Sequence, residues 1–181
     1  MFKKFTIGDL TANTRVKSSI ARGIRSKIED QFPTLEPVLD EIMPKKAPMF
    51  IAKCHPHVSM IVVEGKVKFF QIRDGPFMPT LKILHRYPDI LPHFQCDTGA
   101  IKFVLDGVNV MCPGLTSAGG SMVDVPAETP VAIMAEGKEH AMAIGITTMS
   151  TEEIRTVNKG HGLENIHYLN DGLYLIADDL S

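Results

Sequence analysis

Apolar residues in the N-terminal half follow the spacing of two helices. A stripe with one member every four residues predicts an amphipathic helix over residues 14–32. A second set follows the i, i+3, i+4, i+7 pattern, and Pro44 ends that helix. The first stripe is Val16, Ile20, Ile24, Ile28 and Phe32, and the second set is Leu35, Val38, Leu39 and Ile42.

The pattern then changes to one typical of a small sheet. Segments 49–54, 58–63 and 66–72 are rich in Val, Ile and Phe, which favours β-strands. Glu64-Gly65 predicts a turn between the last two strands. A short helix is predicted from Thr80 to about Tyr87. Two helices, a meander and a short helix therefore form an N-terminal α/β domain over residues 1–91.

Short strands dominate the remainder, residues 92–181. Ser150 with Glu153 forms a capping box before one short helix. Many short strands with few helices predict a small mixed barrel, so the whole chain is expected to be an α+β protein of two domains. The predicted elements here are a helix over 97–105 and strands over 108–111, 131–135, 141–148 and 166–169.

The formal net charge of -2 conceals two different halves. Residues 1–90 hold 15 basic and 9 acidic side chains, whereas residues 91–181 hold 4 basic and 12 acidic ones. With 44% hydrophobic residues the 181-residue chain is expected to fold. No apolar run approaches the roughly 18–20 residues that span a bilayer. The three cysteines are too few and too scattered for a disulfide framework, which favours a cytoplasmic location without membrane contact.

The basic residues of the N-terminal half are candidate phosphate ligands. On the predicted first helix, Arg15, Arg22 and Arg25 fall together on the side opposite the apolar stripe. Lys45 and Lys46 follow the second helix. Basic groups gathered on one face bind RNA by releasing counterions from its phosphates. The alternative interpretation is an ordinary solvated helix face, and we favour contact with RNA or the ribosome.

The acidic half requires a more local contact, because its charge repels a polyanion. Lys102, the polar Asn109 and backbone N–H groups around Gly99 and Gly107 are the candidates. Glycine lets a nucleic-acid backbone approach closely. The alternative is that these two glycines serve helix packing and a helix C-cap.

Metal binding and catalysis are the less favoured interpretations. Cys54-x-x-His57 and His93-x-x-Cys96 have zinc-like spacing, but buried thiols are commonly small apolar groups. A cysteine nucleophile such as Cys112 would need a histidine base, and no nucleophile elbow, Walker pattern or dinucleotide fingerprint is present. The sequence therefore predicts a protein that is not an enzyme, with no metal, cofactor or small-molecule substrate.

Part of the C-terminal half resembles a known RNA-binding domain. Residues 97–114 have a Gly-Ala at the start of a short helix, a Gly at its end, a strand and then Pro-Gly. This pattern looks like the opening of a PUA domain, and residues 131–138 and 143–145 fit its later strands. The resemblance covers about residues 93–172 and implies a pseudo-barrel that binds RNA.

The whole chain is similar to the malignant T-cell amplified sequence 1 family. Five motifs carry the resemblance in order and spacing: Ile-Met-Pro-Lys-Lys (42–46), Gly-Pro-Phe-Met-Pro-Thr-Leu (75–81), Tyr-Pro-Asp-Ile-Leu-Pro-His (87–93), Met-Cys-Pro-Gly-Leu-Thr-Ser (111–117) and Asn-Ile-His-Tyr-Leu-Asn-Asp-Gly-Leu (165–173). The resemblance implies a pre-PUA domain before the PUA domain. It also implies a factor for translation initiation, reinitiation and recycling that binds the small ribosomal subunit with density-regulated protein and promotes tRNA release or recruitment.

Two alternatives stay open beside this function. One is a ribosome-biogenesis factor with a PUA domain, and the other is an accessory subunit of an RNA-modifying enzyme. The resemblance places the protein-partner site on the N-terminal half. Phe77 and Met78 are the candidates there, because the prolines of Gly-Pro-Phe-Met-Pro are expected to hold the loop and display the Phe77 ring. The alternative for the methionine is ordinary core filling.

Overall fold

The N-terminal half contains a five-stranded antiparallel sheet in chain order. The computed structural model describes residues 1–180. Each strand pairs with the next along the chain, because short turns connect β2, β3, β4 and β5. The strands are β1 (Leu10–Arg15), β2 (Met49–Cys54), β3 (Val58–Val63), β4 (Lys66–Ile72) and β5 (Phe77–Pro79). The predicted bounds of β2, β3 and β4 are confirmed.

Three helices accompany this sheet. They are α1 (Ser18–Gln31), α2 (Leu39–Ile42), which follows a 3-10 helix at Pro33–Val38, and α3 (Leu81–Arg86). The prediction that the first helix begins at residue 14 is wrong. The backbone of Arg15 pairs with Phe50 of β2 instead, so this arginine ends an edge strand. Thr80 caps α3 by accepting a hydrogen bond from the Ile83 N–H.

The second sheet lies in the C-terminal half and has the order β6-β8-β9-β10-β7. Its first strand is parallel to β8, and the other pairs are antiparallel. The strands are β6 (His93–Cys96), β7 (Val110–Met111), β8 (Pro130–Ala135), β9 (Ala143–Thr147) and β10 (His161–Tyr168). The helices are α4 (Ile101–Val104), α5 (Cys112–Thr116), α6 (Thr151–Val157) and α7 (Gly172–Ile176).

Local side-chain signals account for the helix starts in this half. Asp97 accepts the Ala100 N–H at the start of a 3-10 turn that leads into α4, and the predicted Ser150–Glu153 capping box begins α6. Pro113 lies in the first turn of α5, directly after β7 has ended at Met111. Proline is well accommodated there because the missing N–H has no helical partner at that position.

The hydrophobic core crosses from one half to the other. The two sheets lie on either side of the predicted domain boundary at residues 91–92. Even so, Ile144, Ile166 and Leu173 belong to the core that α1, α2 and β2–β5 build. Phe2 packs edge-on against Phe70 of β4, with ring centroids 5.4 Å apart. The two halves are therefore packed against each other through shared apolar contacts.

The expectation that Phe77 is displayed on a loop is wrong. Phe77 and Met78 belong to β5, where they are 5% and 1% exposed. The Gln31 side chain of α1 makes hydrogen bonds to both backbone groups of Phe77 in this strand. Its Nε2 donates to the Phe77 carbonyl over 2.6 Å, and its Oε1 accepts the Phe77 N–H over 2.9 Å. Pairing with β4 completes the burial of both side chains.

Candidate nucleic-acid interface

Four exposed cations of the N-terminal half line one groove. Arg15 ends β1, Arg22 lies on α1, and Lys45 and Lys46 follow α2. These four side chains line the same depression, together with the mostly buried Arg25 and the acid Glu29. We call this depression the basic groove. These four predicted phosphate ligands therefore lie around one groove, although Arg15 belongs to strand β1 and not to the first helix.

Two backbone contacts place the lysines beside the arginines. The Val16 N–H donates to the Met49 carbonyl over 3.0 Å and ties the end of β1 to the start of β2. The Ala47 N–H donates to the Pro44 carbonyl over 3.0 Å, which makes a turn with Lys45 and Lys46 at its tip. Both lysines are exposed and have no acidic ion-pair partner within residues 1–180.

Arg25 differs from the other predicted phosphate ligands. Its side chain is only 12% exposed, and its Nη2 lies 2.5 Å from the Asp40 carboxylate. Its Nη1 donates to the Met43 carbonyl at the end of α2. The expectation that Arg25 points outward is therefore wrong. Because α2 folds back onto this position of α1, the guanidinium connects the two helices.

The C-terminal half presents an apolar groove beside α4. Phe103, Val108 and Met111 line it and are 51%, 44% and 47% exposed. Gly99 and Gly114 contribute small residues to the same wall. These three apolar side chains were not among the residues predicted to bind RNA. The signal was available, since Phe103 follows Lys102 on a helix of only four residues, too short to bury both faces.

Of the predicted RNA ligands in the C-terminal half, some line this groove and one has a structural role at a helix end. Gly99 and Asn109 line the groove, and the exposed Lys102 places Nζ 5.1 Å from the centroid of the Phe103 ring. Gly107 has a φ of +87°, and a Cβ there would lie 3.0 Å from the Tyr168 ring. Its N–H donates to Val104, so the helix-end interpretation describes Gly107.

Asn109 is also engaged within the protein. Its Oδ1 accepts the Asn165 N–H over 2.9 Å and joins β10 to the approach of β7. Asn165 Nδ2 donates to the carbonyls of Val104 and Val108 over 3.0 and 3.1 Å. These bonds fix the segment at Val108 and Asn109 that lines the apolar groove, so Asn109 both lines the groove and positions its neighbour.

The structure does not assemble the zinc-like set. Cys54 lies in the core of the N-terminal half and Cys96 in that of the C-terminal half. Among residues 1–180, no cluster of three or more His, Cys, Asp or Glu side chains is arranged to hold a metal ion. Burial raises the pKa of the Cys96 thiol to about 12 and also raises the pKa values of Cys54 and Cys112. These thiols are therefore protonated and weakly nucleophilic at neutral pH.

A membrane-spanning helix is likewise not found within the described part of the chain, residues 1–180. The longest helix, α1, has 14 residues and carries charged side chains along its length.

Comparisons with known proteins identify both halves. Residues 3–88 match the Pre-PUA-like domain family, and residues 92–169 match the PUA domain family. The chain is 54% identical over 175 residues to malignant T-cell-amplified sequence 1-A of Xenopus laevis, which covers 96% of this chain and 97% of that protein. The chain belongs to the malignant T-cell-amplified sequence 1 family. This confirms the predicted family and the α+β fold, a pre-PUA domain followed by a PUA domain.

Other members of the malignant T-cell-amplified sequence 1 family are similar over nearly the whole chain. Malignant T-cell-amplified sequence 2 of Homo sapiens is 54% identical over 175 residues, and it covers 96% of this chain and 97% of its own. A Dictyostelium discoideum homologue is 50% identical over 177 residues, with 97% of both chains covered. Among solved structures, a hypothetical protein of Pyrococcus horikoshii aligns with a TM-score of 0.69 at 22% identity, covering 92% of this chain and 99% of that one. The last similarity concerns the fold alone.

Proposed function

We propose that this member of the malignant T-cell-amplified sequence 1 family is a non-enzymatic RNA-binding factor of translation. In this proposal it binds the small ribosomal subunit in the cytoplasm together with a partner of the density-regulated-protein type. It acts in initiation, reinitiation and recycling by promoting tRNA release or recruitment. Family membership and the PUA domain support the RNA-binding role. The observation that carries the ribosomal contact is the assembly of four exposed cations in the basic groove.

The basic groove suits the backbone of folded RNA. Arg22 lies on one exposed segment and Lys45 and Lys46 on another, so their charges add at one place, and none of the three forms a salt bridge within residues 1–180. Each phosphate that they neutralise releases condensed counterions, which supplies affinity without sequence readout. Arg15 extends the cationic lining to the end of the edge strand β1. Contacts of this kind would place the protein on ribosomal RNA, and other groups would select the site.

The apolar groove suits an unpaired base. The half-exposed Phe103 ring offers a stacking surface, and Lys102 beside it offers one positive charge. Stacking of a base on an aromatic ring contributes about 1–3 kcal/mol and does not need a basic domain. This resolves the difficulty that the C-terminal half is acidic overall. An RNA end or loop, including that of a tRNA, is the proposed occupant.

The partner is proposed from family membership and is assigned to the N-terminal half. Because Phe77 and Met78 are buried, their contribution to such an interface would be indirect. They would act by shaping the edge formed by β4 and β5.

Co-sedimentation with purified small ribosomal subunits tests the proposal. The variant is Arg22→Glu with Lys45→Glu and Lys46→Glu, and the matched control is Lys4→Glu with Lys27→Glu and Lys53→Glu. All six residues are exposed, and the control residues lie outside the basic groove. We expect the groove variant alone to lose binding at moderate salt and to show a flatter dependence of log K on log salt. Equal loss in both variants contradicts a role for the groove.

The same sedimentation distinguishes the two alternatives. Association with mature small subunits supports the translation factor. Association with precursor particles alone supports a ribosome-biogenesis factor. Recovery in a modification complex, without ribosomal subunits, supports an accessory subunit of an RNA-modifying enzyme.

A further inference from the structure

The C-terminal segment, residues 172–180, lies across the N-terminal sheet. The Val67 N–H of β4 donates to the Ala177 carbonyl over 2.7 Å, and the Leu180 N–H donates to the Gly65 carbonyl over 2.7 Å. Leu173, Ala177 and Leu180 are buried. The segment therefore covers the part of β4 that precedes its pairing with β5.

Four cations lie on the surface beneath and beside this segment. They are Lys66 and Lys68 of β4 and Lys82 and Arg86 of α3, and we call them the basic strip. Lys82 Nζ lies 3.4 Å from the Asp178 carboxylate and 4.0 Å from the centroid of the Tyr174 ring. Both partners belong to the C-terminal segment. One acidic side chain of that segment is thus paired directly with the strip.

Lys68 is the unusual member of the basic strip. It lies where the β3–β4 register shifts, so it has no partner residue on β3, and the residue as a whole is only 8% exposed. Within residues 1–180 its amine makes neither a hydrogen bond nor an ion pair. Burial lowers the pKa of Lys68, and the like charges of Lys66 and Arg86 lower it further. The stem of Lys68 is buried while its ammonium is only partly desolvated, so the charge stays open to an anion that approaches from solvent.

The charges around the strip are not balanced by internal pairs. Of the four cations, Lys82 alone forms a salt bridge within the described residues. Glu64 and Asp178 act on Lys68 with attractive charge, but neither lies within pairing distance of it. Lys66 and Arg86 are exposed at either side. Several phosphates on one backbone would match this arrangement better than one carboxylate does, because a polyanion reaches all four cations together.

We propose that the basic strip is a second binding surface for RNA phosphate, and that Asp178 of the C-terminal segment, which pairs with Lys82, competes with RNA for it, with the sequence-adjacent Asp179 adding negative charge. The inference rests on the proposed RNA-binding function and adds a surface that shares no residue with the basic groove. The apolar anchors of the segment need not move. Displacement of the acidic side chains alone opens the strip.

Fluorescence anisotropy with a labelled RNA hairpin tests this surface. In the full chain, Asp178→Asn with Asp179→Asn removes the competing charge and leaves Leu180 in place. We expect several-fold tighter binding at low salt and a slope of log K against log salt that is steeper by about 0.7 per additional phosphate contacted. The control, Glu128→Gln with Glu152→Gln, makes the same change in net charge on exposed positions of the C-terminal half.

A double-mutant cycle separates a local effect from a general one. Lys66→Gln with Arg86→Gln is expected to weaken binding severalfold, and the two Asn substitutions are expected to tighten binding much less in that background, where only Lys68 and Lys82 of the strip remain. Unfolding midpoints of these variants, all altered at exposed positions, verify that the fold is retained. Equal tightening by the control pair, or full tightening without Lys66 and Arg86, overturns the competition.

The result also separates this proposal from the function on which it rests. If the strip variants bind the hairpin like the wild type while Arg22→Glu with Lys45→Glu and Lys46→Glu binds weakly, the strip is not an RNA surface and the proposed function stands. If the wild-type chain does not bind the hairpin or the small subunit, both proposals fail.

Discussion

The Leu81 N–H donates to Nε2 of His167 over 3.1 Å, although 86 residues separate the two in sequence. Leu81 begins α3 in the N-terminal half, and His167 lies near the end of β10 in the C-terminal half. The other ring nitrogen, Nδ1, lies 2.8 Å from the Asp171 carboxylate. Because Nε2 accepts the hydrogen bond from the Leu81 N–H, it carries no hydrogen of its own, and Nδ1 carries the hydrogen and donates a hydrogen bond to Asp171. One neutral imidazole thus connects the two halves inside the core.

Replacing Asp171 with Ala is expected to destabilise the protein by about 3 kcal/mol, because buried hydrogen-bond donors lose their acceptor. Besides His167, Asp171 accepts the N–H groups of Tyr168 and Tyr174, and it caps α7. Urea denaturation of Asp171→Ala measures the loss. Asp106→Ala, at an exposed carboxylate, is the control and should change stability by less than about 1 kcal/mol. Similar losses in both would contradict the role assigned to the buried network.

Arg25 and Arg22 are expected to separate stability from RNA binding. Arg25→Ala removes the bonds to Met43 and Asp40 and should lower the free energy of unfolding by about 1–2 kcal/mol. Arg22→Ala changes an exposed side chain and should leave stability within about 0.5 kcal/mol while weakening binding to small subunits. Chemical denaturation and sedimentation check the pair. An Arg22 variant that unfolds as easily as the Arg25 variant would count against this division.

Phe103→Ala is expected to reduce affinity for single-stranded RNA by about tenfold without lowering stability, since a stacking contact contributes about 1–3 kcal/mol. Half of the ring is exposed, so little core packing is lost. Leu175→Ala, at a side chain that is 70% exposed on α7, is the matched control. Anisotropy titrations with a labelled single strand measure both variants. Unchanged affinity of the Phe103 variant would remove the apolar groove from the proposed RNA surface.

Lys68→Met is expected to raise the free energy of unfolding by less than about 1 kcal/mol near neutral pH, because solvent screens the partly exposed ammonium. Methionine keeps the buried part of the stem and removes the partly desolvated charge. Because the pKa of Lys68 is lowered in the folded protein, the unfolded chain binds more protons between that lowered value and the ordinary lysine pKa. Wild-type stability should therefore rise with pH through this range, and the advantage of the variant should shrink. Denaturation at several alkaline pH values checks this, and a constant difference at all of them contradicts it.

The sequence pattern predicted the elements whose formation depends on local residues. The bounds of β2, β3 and β4 follow directly from their runs of Val, Ile and Phe, and Ser150 marked the start of α6 because capping is a local interaction. The edge strand β1 escaped prediction because its residues are polar and almost entirely exposed. Its strand geometry comes from pairing with β2, which no local pattern contains.

The candidate site was predictable to a similar degree. The excess of basic residues in the N-terminal half indicated Lys45 and Lys46 as candidates, and the structure brings them beside Arg15 and Arg22. The inward turn of Arg25 depends on the return of α2, and the burial of Phe77 depends on Gln31. These are contacts between segments distant in sequence. Helical spacing placed Arg25 on the same side of α1 as Arg22, but it did not indicate that α2 would pack against Arg25.

The shared core around His167 has a consequence for how RNA is held. Because the two halves are packed together, the basic groove and the apolar groove are presented at one separation. If both grooves bind RNA as proposed, engagement of the first would raise the effective concentration of the second. The two contacts would then combine as avidity only for an RNA whose phosphates and unpaired base match that separation. An RNA with another spacing would engage one groove and dissociate quickly, so the fixed packing of the two halves would select RNA by shape.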